Sequence, residues 1–580
     1  MGQSLRCWAS FSLFACALAD TVTLDWALGW KTISPDGTAR PVVAVNDLWP
    51  PPAISLHEGD RLVIHVTNNL GNETASIHFH GLYQRGQNAM DGPVAATQCP
   101  IPPGSKFTYD FKACSVIGQV GTYWWHAHVA GEIADGLRGP LIINDRKNPY
   151  QDQITGGEIT ITLGDWYHDQ APDLIRYYQS KANADDGGPE PIPDSGLIND
   201  GQDVHFGVEP GKTYYVHVIN TGNFVGAYLD IDGHDVTIIE ADGIYTEPKT
   251  VGRLYLAAAQ RYGVLLTTKA NNKNNYLVMC SLDTDMFDDI PPGYNPLFYG
   301  YLIYDNAKAL PTKKSFPNLR VFDDMDLVTS TSNQWDQAQT YTTVDRQIIL
   351  NMGFTDLDDQ NRATVNNVTF VPQKVPSLYT ALSTGKEALN PVVYGVNSIP
   401  FVIKNNDIVE IIINNYDNGN HPWHLHGHTF QVIHRNKPGG GYYKGQALKA
   451  DSDRPLRRDT VTVYANSYIA LRFKADNPGV HLMHCHIEWH VEAGLSVTLI
   501  ESPDIMQQTQ YIPGDHLDAC IRQGIPVKGN AAGNTKNFTN LDGANISPNK
   551  NPSGAIIDPT TLGPPGKHRA YWPRHGRHNY

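Results

Sequence analysis

Histidine is concentrated in four short clusters: His78-x-His80, His126-x-His128, His421-x-x-His424-x-His426 and His484-Cys485-His486-x-x-x-His490. In an extended strand, residues i and i+2 project from one face and i+1 from the other. Each H-x-H triplet therefore offers two imidazoles to one metal or to two neighbouring metals. In His484-Cys485-His486 the imidazoles face one way and the thiolate the other. One segment can then hold two different sites joined by a few covalent bonds, which is a short route for electrons. Chance gives about one such triplet in a chain of this histidine content, and five occur, counting His426 with His428.

Ligand softness narrows the metals. Two histidines and a cysteine in a trigonal arrangement make a blue-copper electron-transfer site, and His421, Cys485 and His490 supply that set. Zinc uses the same donors, but it has no redox chemistry and does not account for eight further histidines nearby. A copper carrier needs only the first set, and the remaining eight argue against it.

Such donors must be held by strands. EGDRLVIHVTNNL (58–70), EPGKTYYVHVINTGN (209–223) and KNNDIVEIIINNYDNGN (404–420) share a polar turn, apolar residues alternating at period two and an Asn-containing turn. The alternation predicts strands with one face in a core. Their spacing predicts three related β domains, over 20–146, 155–306 and 340–510, with a linker at 307–339. Histidine clusters follow the first and third copies, but Ala227-Tyr228-Leu229-Asp230 follows the second. The middle domain therefore reads as a spacer.

The 580 residues are too many for one core, and the abundance of Gly (51), Pro (39) and Tyr (29) favours short strands and turns. A net charge of −15 argues against nucleic acid or an anionic membrane as partner. Arg6, the apolar stretch Cys7 to Leu18 and the small-x-small triplet ending at Ala19 read as a signal peptide over 1–19, hence a secreted protein. Cys99, Cys114, Cys280, Cys485 and Cys520 then remain, an odd number that leaves one thiol for another task. Sequons at Asn72, Asn367, Asn537 and Asn545 agree with secretion. Beyond the signal no apolar run is long enough to span a bilayer. Residues 511–580 read as a C-terminal extension, disordered from about 545.

The HCHxxxH, HxxHxH and paired HxH motifs, in this order, resemble those of the multicopper oxidases, the family of laccases, ferroxidases and ascorbate oxidase. Asp91-Gly92-Pro93 and Gln98-Cys99-Pro100 extend the likeness over nearly the whole mature chain. The resemblance implies an all-β fold of three cupredoxin-like Greek-key sandwiches and four copper ions. It implies His421, Cys485 and His490 as type 1 ligands and His78 and His424 as the type 2 pair. The six type 3 ligands would be His80, His126, His128, His426, His484 and His486. Leu495, ten residues after Cys485, falls at the axial position, where it cannot ligate, which raises the reduction potential. Asp91 and Glu488 match acids that supply protons to oxygen reduction, or that brace the ligating imidazoles. His428 and His481 match no ligand position.

Within the family the chain is most similar to fungal iron-uptake ferroxidases, through EPIPDSGLIND (190–200), MFDDIP (286–291), YDNGNHPWHLHGH (416–428), RRDT (457–460) and KADNPGV (474–480). This implies that Glu190, Asp288 and Asp417 bind ferrous iron beside the type 1 site. Carboxylates are hard donors that favour Fe³⁺ over Fe²⁺ and so promote electron loss. Asp289 stands where the subfamily carries an apolar residue. Those ferroxidases usually carry a C-terminal membrane anchor and work with an iron permease. The sequence here shows no such anchor, so a secreted, laccase-like oxidase of phenols is the alternative. The resemblance also pairs Cys99 with Cys520, leaving Cys114 and Cys280 unassigned.

Overall fold

The three sequence repeats become three eight-residue strands, Arg61–Asn68, Thr213–Asn220 and Ile408–Asn415. In the computed structural model, which describes residues 19–113, 118–270, 274–315, 322–332, 340–357, 360–450 and 452–546, each has the same neighbours. A parallel strand that opens the domain lies on one side: Thr21–Ile33, Gly157–Trp166 or Arg346–Leu357. An antiparallel strand lies on the other: Lys106–Lys112, Arg261–Thr267 or Ser467–Lys474. A second sheet in each domain contains one further parallel pair, such as Ile54–His57 with Arg138–Asn144. The six sheets hold four and four, six and five, and six and five strands. The molecule is thus all-β, with three cupredoxin-like sandwiches. Residues 1–18 of the expected signal peptide (1–19), Cys114 and the tail beyond 546 lie outside the described residues.

The expected one-faced burial holds only in part. Thr213–Asn220 and Ile408–Asn415 are buried on both faces. The outer face of the first is covered by domain 1, where Thr122 Oγ1 and His217 Nδ1 lie 2.7 Å apart. The outer face of the second is covered by Tyr443, Leu448 and Ala450, which pack on Ile412. Interdomain and loop packing override the simple alternation.

Helices are short, and among the described residues none is long and apolar enough to cross a membrane. Gly514–Arg522, the C-terminal one, docks on domain 1. Cys520 is disulfide-bonded to Cys99, the Thr108 amide donates to Asp515 Oδ2 at 2.8 Å, and His516 stacks on Phe107. The two ends of the chain's fold are thereby held together, which brings domain 3 against domain 1. Cys280 is a buried free thiol.

Candidate metal centre

Two short strands of domain 1 and two of domain 3 end at one place. His78–His80 pairs with Gly121–His126, setting His78 opposite His126. His421–Leu425 pairs with Gly479–Cys485, setting His424 opposite His484 and Trp423 opposite Cys485. Eight imidazoles converge there, all but His128 deeply buried. Donor atoms within 4.8 Å of one another group His78 with His424 and His426, His78 with His80 and His126, and His128 with His426 and His484. The His486 ring centroid lies 5.0 Å from that of His80 and 5.2 Å from that of His126.

Six of the eight rings hold an oxygen acceptor on their outward-facing nitrogen. His78 Nδ1 meets the Asp91 carbonyl at 2.7 Å, His126 Nδ1 the Ala127 carbonyl at 2.7 Å and His484 Nδ1 the Cys485 carbonyl at 2.8 Å. His426 Nδ1 meets Asp91 Oδ2 at 2.9 Å and His424 Nδ1 the Asp459 carbonyl at 3.0 Å. His80 Nε2 lies 3.1 Å from Asp459 Oδ1. Each acceptor fixes the tautomer, so the opposite nitrogen presents a lone pair inward. Among the described residues, the inward atoms His78 Nε2, His80 Nδ1, His126 Nε2, His424 Nε2 and His486 Nε2 have no hydrogen-bond partner. His426 Nε2 and His484 Nε2 face each other at 3.0 Å. Buried lone pairs aimed at one another are unfavourable without a cation between them. Burial first, and neighbouring histidines second, hold His126, His128, His426 and His486 well below the ordinary imidazole range. They are therefore neutral at pH 7, the form in which an imidazole can bind a metal.

On the other side of the same strand, Cys485 Sγ lies 3.4 Å from His490 Nδ1 and 3.7 Å from His421 Nδ1, with 3.1 Å between the two nitrogens. Burial pushes the thiol up, so the thiolate needs a bound cation to persist. Leu495 is fully buried, and its carbonyl accepts from the Cys485 amide at 3.1 Å; its side chain offers no donor. Phe354 covers both imidazoles, its ring 4.9 Å from His490 and 5.9 Å from His421.

Both outer nitrogens of this site meet carboxylates. His490 Nε2 lies 2.6 Å from Glu190 Oε1, and His421 Nε2 lies 3.0 Å from Asp417 Oδ2. The imidazoles are buried, whereas Glu190 is 17% and Asp417 32% exposed. Burial, then the neighbouring Asp417, pushes Glu190 up to about 7. Asp288 is exposed at the surface, yet partial desolvation, followed by Glu190 and Asp417, pushes it up to about 6, which places the three acids within one another's fields. Burial, the largest single influence, would raise Asp417 too, but its hydrogen bond and charge interaction with His421, the Gly419 amide and His490 together outweigh it and hold the carboxyl low. Asp289 is exposed.

Three multicopper oxidase family models match residues 27–148, 157–307 and 370–504. The chain belongs to the multicopper oxidase family. This oxidase is 45% identical over 543 residues to the iron transport multicopper oxidase fetC of Epichloe festucae, covering 93% of the chain and 85% of that relative. It is 38% identical over 548 residues to the iron transport multicopper oxidase FET3 of Saccharomyces cerevisiae, covering 92% and 84%. The crystal structure of Fet3p, described as a multicopper oxidase that functions in iron import, superposes with a TM-score of 0.85 at 38% identity, over 90% of this chain and 98% of that one. A laccase from Botrytis aclada superposes with a TM-score of 0.72 at 26% identity, over 89% and 95%.

The oxidase's donor set fits copper: neutral imidazoles with orphaned lone pairs, and one thiol between two of them. Glu488 lies two residues beyond His486; burial pushes it up to about 7, and the Gly131 amide, in the loop after His128, donates to it. His428 faces Glu501 at 3.1 Å and His481 the Asn477 carbonyl at 2.8 Å. Sequence reasoning gave no role to Phe354 or Asp459. The RRDT motif contains Asp459, but only the three-dimensional contacts with His80 and His424 give that residue a task.

Proposed function

We propose that this oxidase is a ferroxidase that couples one-electron oxidation of Fe²⁺ to four-electron reduction of dioxygen to water. His421, Cys485 and His490 would hold a type 1 copper, and His78 and His424 a type 2 copper. His80, His126 and His486, with His128, His426 and His484, would hold a type 3 pair. Copper there supplies one-electron redox chemistry and a place for dioxygen to accept electrons.

The observation that carries the iron reading is the pair of carboxylates on the outer nitrogens of His490 and His421. Fe²⁺ held by Glu190, Asp288 and Asp417 sits one imidazole away from the thiolate set, and hard anionic oxygens favour its ferric form. Cys485 then links that set to His484 and His486 on the opposite face of the strand. Asp91 steadies His78 and His426. Glu488, poised near neutrality, is suited to give and regain protons. The Leu495 side chain has no donor atom to offer a copper held by His421, Cys485 and His490, which would favour a high potential.

The relatives named for iron transport support the same reading. An iron permease as partner to receive Fe³⁺, and an extracellular setting, follow from that reading and from the signal-like N-terminus. The direct test compares steady-state kinetics for Fe²⁺ and a simple diphenol in the parent, Glu190→Ala and Asp417→Ala. Iron efficiency should fall steeply while diphenol turnover changes little. Full iron turnover in both variants would reject the iron site and leave a phenol oxidase as the better reading.

A further inference from the structure

Domain 2 carries no histidine cluster, yet one of its side chains reaches the eight-imidazole site. Arg261 opens the strand Arg261–Thr267 and is fully buried. Its Nη1 donates to Asp459 Oδ1 at 2.7 Å and its Nη2 to Asp459 Oδ2 at 2.6 Å. Its Nε donates to the Thr122 carbonyl at 3.2 Å. Thr122 lies in domain 1, on the strand that ends at His126, and Asp459 lies in domain 3. One guanidinium of domain 2 therefore bonds to both other domains.

Asp459 in turn meets imidazoles from both halves of the site. Its Oδ1 lies 3.1 Å from His80 Nε2, and its carbonyl 3.0 Å from His424 Nδ1. The next residue adds Thr460 Oγ1, 3.3 Å from His80 Nε2 and 3.2 Å from His424 Nδ1. Domain 2 grips this segment at further points. Gln260 Nε2 donates to the Thr460 carbonyl at 3.1 Å, and the Thr460 amide to Asp242 Oδ2 at 3.2 Å. Arg458 makes two bonds to the same Asp242, at 2.9 and 3.0 Å. The packing leaves no slack: a Cβ on Gly81, the residue after His80, would lie 2.7 Å from Arg261 Nη2 and 2.8 Å from Asp459 Oδ2.

We infer that Arg261 is a positioning residue for the trinuclear site: through Asp459 it fixes the ring orientation of His80 and His424, so that the metal-free domain sets the geometry of a cluster whose ligands it does not supply. A planar, bidentate guanidinium fixes a carboxylate in both distance and plane, which a lysine ammonium cannot do. Partners on the outer nitrogen of a ligating histidine fix its tautomer and angle, and their loss commonly costs 10–100-fold in metal affinity or activity. The inference rests on the copper assignment above.

The test uses the copper-loaded full chain and Arg261→Met, Arg261→Lys and Arg454→Ala. Arg454 is the control, since it makes another domain 2–3 ion pair, with Glu247 at 2.6 Å, without touching Asp459. Copper content, the paramagnetic resonance of the type 2 ion, the red type 1 absorption and its potential are read together with O₂ consumption. Arg261→Met should lose trinuclear copper or alter the type 2 signal, and slow oxygen reduction about 10–100-fold. The type 1 band and potential should stay at parental values. Arg261→Lys should fall between Met and parent, and Arg454→Ala should match the parent. A type 2 signal and copper count in Arg261→Met equal to the parent's, or disturbed no more than in Arg454→Ala, overturn the inference. If Arg261→Met does not fold, Arg261→Lys is judged by the same criterion. A parent without any type 2 signal sinks the copper assignment instead, a failure distinct from that of Arg261.

Discussion

His490 Nε2 and Glu190 Oε1 lie 2.6 Å apart although 300 positions separate them in the chain. One end of the His490 ring faces the thiol and the other faces a carboxylate at the surface. Glu190→Gln keeps an acceptor oxygen for His490 but removes the charge that Fe²⁺ requires. Iron efficiency should drop roughly 10–100-fold, with the red absorption intact. Steady-state oxygen uptake and a visible spectrum on the same sample check this.

Acid should weaken iron turnover before it weakens diphenol turnover. Asp288 is raised to about 6 and Glu190 to about 7, so both lose their charge as pH falls through that range. Iron efficiency should therefore rise with pH across about 6 to 7 and level off above it. Asp288→Asn should lower the plateau and flatten the lower part of the limb. A diphenol profile with the same limb would place the titrating group elsewhere.

Leu495→Met is a nearly volume-conserving change at a buried position. It offers the type 1 site a thioether and should lower its reduction potential. Redox titration of the red band reads the shift directly, and iron oxidation should slow with it. An unchanged potential would mean that Leu495 does not face the metal.

Gly92 follows Asp91 with φ +104°, and a Cβ there would collide with the Ile77 carbonyl just before His78. Gly92→Ala combines a disfavoured dihedral with a backbone clash, so it should cost about 2 kcal/mol or more. Thermal unfolding of the apo-protein measures the loss without reference to metal. A parental Tm would show that the loop can give way.

The donors were legible because strand geometry turns H-x-H and H-C-H into faces, a purely local relation. The three repeated strands were legible for the same reason, by alternation, although that pattern missed the second buried face of Thr213–Asn220 and Ile408–Asn415. That face is covered by His217's neighbours in domain 1 and by Tyr443, Leu448 and Ala450 in a following loop. What the sequence could not reveal is pairing at long range. Arg261 and Asp459 are 198 positions apart, and His80 and Asp459 are 379 apart. Nothing local in an arginine that opens a strand marks it as a neighbour of the histidine cluster. Phe354 over His421 and His490 is hidden likewise.

Metal analysis of the purified, copper-loaded chain beside its Cys485→Ser variant tests the central claim most directly. Four copper ions per chain are expected in the parent, with strong red absorption. The variant should lose that absorption and one ion while keeping the other three. Fewer than four ions in the parent, or a red band that survives loss of the thiol, would contradict two sites built on opposite faces of one strand.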